Sequence, residues 1–91
     1  FDPATGNLIT DDIKTETRQA MNNLKTLLEA AGSSLEKVVK TTLFIKNMDD
    51  FFLVNEVYGE FFTENYPARA CVEVARLPRD ANFEVEAVAL V

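Results

Sequence analysis

Arg69, Cys71 and Glu84 are the side chains of this chain whose types and spacing invite chemistry. Arg69 lies in the segment Pro67-Ala68-Arg69-Ala70-Cys71. A guanidinium stays charged under essentially all conditions and binds a carboxylate through two parallel hydrogen bonds, so a small anionic substrate is the expected ligand. If the last two strands pair across their short connection, Arg69 and Cys71 on one would meet Glu84 on the other. A carboxylate placed there can position or deprotonate a water. Each residue also has a plain structural role open to it. Arg69 can sit in an ion pair with Glu73, Glu84 or Glu86, and Glu84 can serve only as a counter-ion. A free strand cysteine such as Cys71 is usually a small buried hydrophobe, and it has no base beside it in the sequence.

Composition removes several other chemistries. The 91 residues include no histidine and one cysteine. Within one chain that excludes Cys/His zinc sites, a Ser-His-Asp or Cys-His centre, and any disulfide framework. A reducing, cytoplasmic setting is expected. A formal net charge of −6 disfavours nucleic acid, whose nonspecific affinity comes from phosphate neutralisation by Lys and Arg. No apolar run approaches the roughly 20 residues of a membrane span, and no basic segment followed by an apolar one opens the chain, so a soluble protein is expected. With 47% hydrophobic and 26% charged residues, residues 1–91 read as a single globular domain. A domain this small leaves much surface exposed, and with disulfides and Cys/His metal sites excluded, subunit association is the expected support.

The elements that must position these residues follow from periodicity. Residues 2–7 have turn composition, and a helix is expected to begin near Asp11 or Asp12. Ile13, Ala20, Met21, Leu24, Leu27, Leu28 and Ala31 form its apolar face, and Gly32 ends it. Ser33-Ser34-Leu35-Glu36 fits a capping box over a single helical turn. Residues 38–45 are dense in β-branched and aromatic side chains and make the clearest strand. Asn47-Met48-Asp49-Asp50 reads as a turn plus N-cap, its aspartates suited to capping rather than to a metal. Phe51, Val54, Tyr58, Phe61 and Phe62 predict a second helix ending at 63–65, since Pro67 forbids continuation. On that helix Asn55 reads as a polar surface residue and Tyr58 as a core aromatic. Strands are expected over 69–75 and 82–91, joined by the turn Leu77-Pro78-Arg79-Asp80. The order α-β-α-β-β implies an α+β domain: a mixed sheet with both helices on one face.

Strand alternation assigns the faces. Val39, Thr41, Leu43 and Ile45 are expected under the helices, with Ala70, Val72 and Val74 and with the odd-numbered residues 83–91. The opposite face would carry Lys40, Thr42, Phe44, then Arg69, Cys71 and Glu73, then Glu84, Glu86, Val88 and Leu90. Its blend of charges with large apolar groups suits a subunit interface holding an embedded polar site, so a closed homo-oligomer is expected.

Several blocks now carry a resemblance. They are Ala30-Ala31-Gly32, Val38-Val39-Lys40-Thr41-Thr42, Asp50-Phe51, Val54-Asn55-Glu56-Val57-Tyr58, Pro67-Ala68-Arg69, the run Cys71-Val72-Glu73-Val74-Ala75-Arg76-Leu77-Pro78, and Glu84-Val85-Glu86-Ala87. Together they resemble the reactive-intermediate deaminases, also called the YjgF family and sometimes labelled L-PSP endoribonucleases. The resemblance implies a chorismate-mutase-like fold, homotrimers with clefts between subunits, and hydrolysis of enamines or imines such as 2-aminoacrylate to 2-oxo acids and ammonia. It implies no cofactor. By position, Arg69 looks like the arginine that holds the substrate carboxylate, Cys71 like a residue lining the cleft, and Glu84 like the glutamate associated with the catalytic water. Family members carry an upstream β-hairpin with a tyrosine and a serine of the cleft, and this chain is expected to start after it. The connection Thr63-Glu64-Asn65-Tyr66 looks short beside some members. A protein that binds a 2-oxo acid and reports it to a partner is the alternative function, and RNA cleavage is disfavoured by the acidic charge and absent histidine.

Overall fold

The computed structural model describes residues 12–63 and 66–91. The turn expected over 2–7 and the helix start at Asp11 lie outside them. Helix α1 spans Ile13–Ala30. Asp12 caps it, accepting the Lys14 and Thr15 N–H groups at 3.0 and 3.2 Å and the Thr15 hydroxyl at 2.7 Å. The two N–H groups are donors that a helix start otherwise leaves unpaired. At the far end Gly32 adopts φ +83°, its N–H bonds the Glu29 carbonyl, and the Ser33 N–H bonds the Leu28 carbonyl. This double closure is a Schellman stop, which favours glycine because a Cβ is strained there. The buried face is narrower than the apolar spacing predicts. Met21 is fully buried, but Leu27, about 120° round the helix from it, is 68% exposed.

Strand β1 (Val38–Ile45) enters from a 3-10 turn over Leu35–Lys37. The capping box expected there does not form: Ser34 makes no side-chain cap, and the Ser33 hydroxyl instead donates to the Leu90 carbonyl. After β1 the Asn47 side chain accepts the Asp49 N–H at 3.0 Å, opening a 3-10 turn that leads into helix α2 (Phe51–Phe61). The cap is thus supplied by Asn47; Asp50 at the helix start makes no side-chain cap bond. Helix α2 ends before the expected 63–65, where Phe62 turns extended and is buried.

Strands β2 (Ala68–Glu73) and β3 (Phe83–Ala89) complete a mixed sheet of order β2-β1-β3. Strand β2 runs parallel to β1, which requires the crossover that α2 provides, and β3 runs antiparallel. Met21 of α1, Val54, Tyr58 and Phe62 from α2 and its end, Leu43 and Ile45 of β1 and Phe83 of β3 form one core, so both helices lie on the same face. Each such side chain, fully buried, contributes about 1.5–3 kcal/mol.

The register revises three sequence expectations. First, the last two strands do not pair; both flank β1. A short connection does not compel neighbouring strands to join when an inserted edge position satisfies both. Second, the irregularity between Val38 and Lys40 gives Val38 the buried place expected for Val39, which is 46% exposed. Third, Thr41 pairs Arg69 and Leu43 pairs Cys71, so Arg69, Cys71 and Glu73 share the helix face, while Ala70 and Val72 take the open one. Residue hydrophobicity misassigned β2 because helix cover runs out at a sheet edge. A charged side chain can then stand on the helix side and still reach solvent.

A buried carboxylate that the sequence did not flag fastens α1 to β3. Glu16 accepts the backbone N–H groups of Asn82 and Phe83 at 2.7 and 3.2 Å and the Asn82 amide at 3.1 Å. On the surface, Lys14 meets Glu56 and Arg18 meets Glu60, both at 3.0 Å, stitching α1 to α2. Among the described residues no helix is long and apolar enough to cross a membrane.

Candidate active site

Arg69 stands near the start of β2, beside the exposed rim of α2. Its Nη1 donates to Asn55 Oδ1. The guanidinium carbon lies 5.0 Å from the centroid of the Tyr58 ring and 5.4 Å from that of Phe51. Residues 51, 55 and 58 recur at four- and three-residue steps, so one stripe of α2 supplies all three partners. The Tyr58 hydroxyl is held in turn by Thr41 Oγ1 of β1 at 2.8 Å, in a fully buried pair. No carboxylate among the described residues forms an ion pair with Arg69. Glu73, an expected partner, instead accepts the Met48 N–H at 2.8 Å.

Cys71 lies two residues along β2, on the face that Arg69 occupies, and packs against the core beside Leu43. Burial pushes its thiol above the ordinary value, only partly offset by the charge of Arg69. A neutral thiol in that setting lines a wall rather than attacks.

Glu84 is placed elsewhere. It pairs with Phe44 on the open face, and β1 separates its strand from β2. Two strand spacings put the backbones about 10 Å apart before the opposite faces are counted. Within one chain, Arg69 and Cys71 come together and Glu84 does not join them. Glu84 borders a separate concavity of about 220 Å³ between α1 and β3, lined by Ala20, Leu24 and Phe83 among others. A further concavity of about 380 Å³ lies at the last turn of α2, between Lys25, Glu29 and Phe62, away from the turns under Arg69. Neither concavity includes Arg69 or Cys71 in its lining. Among the described residues no group of three or more Cys, Asp or Glu side chains is arranged to hold a metal ion.

Asn55 is a polar surface residue and Tyr58 a core aromatic, as the sequence leads one to expect; the structure adds that both contact Arg69. The signal available was the 51-55-58 spacing, which aligns a polar group with two rings on one helical stripe. What no spacing could show was that β2 would lie parallel beside β1 with Arg69 opposite Thr41.

Comparison with known proteins identifies the family of this fold. The family model described as Endoribonuclease L-PSP matches residues 1–91. A RutC family protein of Pyrococcus horikoshii is 53% identical over 89 residues, covering 98% of this chain and 71% of the relative. A protein of Salmonella typhimurium named 2-iminobutanoate/2-iminopropanoate deaminase is 48% identical over 92 residues, covering 98% of this chain and 70% of the relative. The crystal structure of Escherichia coli TdcF with bound serine superposes with a TM-score of 0.88 at 42% identity, covering 98% of this chain and 72% of that one. With half its residues shared along nearly its whole length and the same fold, the chain belongs to the reactive-intermediate deaminase (YjgF, L-PSP) family.

Proposed function

We propose that this protein hydrolyses small enamine or imine acids, of the 2-aminoacrylate and 2-iminopropanoate kind, to 2-oxo acids and ammonia. The observation that carries this is the guanidinium of Arg69: exposed, held by Asn55 and two rings, and paired with no carboxylate among the described residues. A charge oriented in this way and left unneutralised suits a carboxylate supplied by a ligand. Two relatives bear on the same chemistry, one named for iminobutanoate and iminopropanoate deamination and one crystallised with an amino acid.

In the mechanism, the enamine takes up a proton from solvent at carbon to become the protonated imine, and Arg69 fixes its carboxylate. Water adds to the imine carbon, Glu84 accepting a proton from it and returning it to the nitrogen as the carbinolamine expels ammonia; the remaining hydroxyl proton goes back to solvent, leaving the 2-oxo acid. Imines already hydrolyse in water, so positioning and electrostatic stabilisation suffice without a covalent nucleophile. Cys71 lines the wall beside the carboxylate. The opposite-face placement of Glu84 gives this scheme a requirement: its carboxylate must come from a neighbouring copy. A working oligomer follows, which the family resemblance makes a homotrimer with its clefts between subunits, in the reducing cytoplasm that one unpaired cysteine suits.

The test uses two variants of the intact protein. Arg69→Ala and Glu84→Gln should each lower ammonia release from 2-aminoacrylate, the first by roughly a hundredfold or more. Subunits of the two inactive variants, unfolded and reassembled together, should recover activity at about one quarter of their sites, because such clefts draw Arg69 and Glu84 from different chains. An Arg69→Ala protein that turns over at the parent rate would remove the proposal. Mixed subunits that stay inactive would remove the shared cleft. A metabolite-binding regulator would show 2-oxo acid affinity at Arg69 without turnover in the intact protein.

A further inference from the structure

We propose that Tyr58 and Phe51 are positioning residues for Arg69, their rings holding the guanidinium in one orientation before any ligand arrives. The inference rests on the deaminase proposal above and deepens it by naming what aims the clamp. Arginine carries long, freely rotating bonds, and an exposed arginine normally samples many rotamers. Here three contacts remove that freedom. The Tyr58 ring approaches at 5.0 Å and the Phe51 ring at 5.4 Å, both within the range where a cation is attracted to an aromatic face. Asn55 takes a hydrogen from Nη1. The edge formed by Nε and Nη2 has no carboxylate on it among the described residues, and this is one of the two edges that can receive both oxygens of a carboxylate.

The rings are themselves anchored to different depths. Tyr58 is 5% exposed, packs tilted against Phe62 with ring centroids 4.9 Å apart, and has its hydroxyl tied to Thr41, which pairs with Arg69 across β1 and β2. The hydrogen bond thus ties the ring to the residue beside the arginine it supports. Phe51, half-buried at the first turn of α2, closes the outer side. A pre-ordered arginine spares the ligand the entropy of ordering it, which is a gain in affinity rather than in the chemical step. The positioning role therefore appears in KM and product affinity more than in kcat.

The experiment compares the intact parent with Phe51→Leu, Tyr58→Leu, Tyr58→Phe and Arg69→Ala. It measures kcat and KM for 2-aminoacrylate, affinity for 2-oxobutanoate, and the rate of guanidinium rotation about Nε–Cζ by arginine side-chain NMR. Phe51→Leu should raise KM and weaken 2-oxobutanoate binding by roughly threefold to tenfold with little change in kcat, and should speed guanidinium rotation. Tyr58→Phe, which keeps the ring but cuts its bond to Thr41, should weaken 2-oxobutanoate binding less than Tyr58→Leu does. Tyr58→Leu tests the deeper ring, and Phe51→Leu keeps the proposal falsifiable should that core variant not fold. Unchanged rotation and unchanged 2-oxobutanoate affinity in Phe51→Leu, while Arg69→Ala has lost binding, would overturn the positioning role and leave the deaminase proposal standing. Parent-like turnover in Arg69→Ala would overturn the deaminase proposal instead, and guanidinium rotation in the ring variants would still decide whether the cradle exists.

Discussion

Arg69 and Cys71 sit on one strand face, two residues apart, yet their surroundings drive them to opposite chemical characters. The guanidinium reaches solvent, whereas the thiol packs on Leu43 and the core, where burial raises its pKa. The thiolate is the reactive form, so Cys71 should react slowly with iodoacetamide at neutral pH, and faster only as pH climbs past the ordinary thiol value of 9.0. Mass spectrometry of timed alkylation measures this; rapid labelling at neutral pH would contradict a neutral, packed thiol. The arginine also shows why charge alone is a weak marker of a site. Its expected counter-ions were Glu73, Glu84 and Glu86; Glu73 caps a turn and the other two lie on the far face of β3.

Between elements, one stripe of α2 and one strand pairing create the surroundings of Arg69, while polar links secure the frame around it. Glu16 is the most consequential of these links, since it satisfies three donors at the entry to β3 from a position 8% exposed. Glu16→Ala would strand the Asn82 and Phe83 N–H groups and should cost roughly 2–3 kcal/mol, read as a lower urea midpoint at constant slope. A midpoint equal to the parent's would mean the carboxylate is dispensable. The α1–α2 stitch behaves differently because it is exposed. The hydrogen bond from Arg18, more than its charge, lowers the Glu60 pKa below the ordinary 4.5. A depressed folded-state pKa contributes stability that is complete above the unfolded value and is lost as pH falls through the folded one. The stability gap between the parent and Arg18→Ala should therefore be present at neutral pH and close below about 4.5. A gap that persists unchanged into acid would exclude the ion pair as its source. Solvent screening keeps the effect small.

At the scale of the whole molecule, the sheet has one covered face and one open face, and the open face is not an ordinary solvated one. Val72 and Val88 are 41% and 59% exposed there, beside half-buried Phe44 and charged Lys40, Glu84 and Glu86. A second copy covering this face would bury the valines and bring Glu84 toward a neighbour's Arg69. Val88→Lys, which places a second cation opposite Lys40, should lower the mass measured by light scattering and with it the turnover, while circular dichroism stays native. Full-sized assemblies from that variant would show that the interface lies elsewhere.

The sequence alone determined the elements and their order, because Asp12, Gly32, Asn47 and Pro67 punctuate the chain locally and the stretches between them carry distinct helix and strand patterns. It also determined the family, since a long run of contiguous residues carries the resemblance. It singled out Arg69 as the proposed clamp and excluded imidazole chemistry, both matters of residue identity. The neighbours of Arg69 were decided only by the tertiary structure. Pairing between strands distant in the chain is a non-local choice, made by how the sheet and helices bury apolar surface together. That choice seated β1 between β2 and β3, turned Arg69 toward Asn55, Phe51 and Tyr58, and put Glu84 on the opposite side of the sheet.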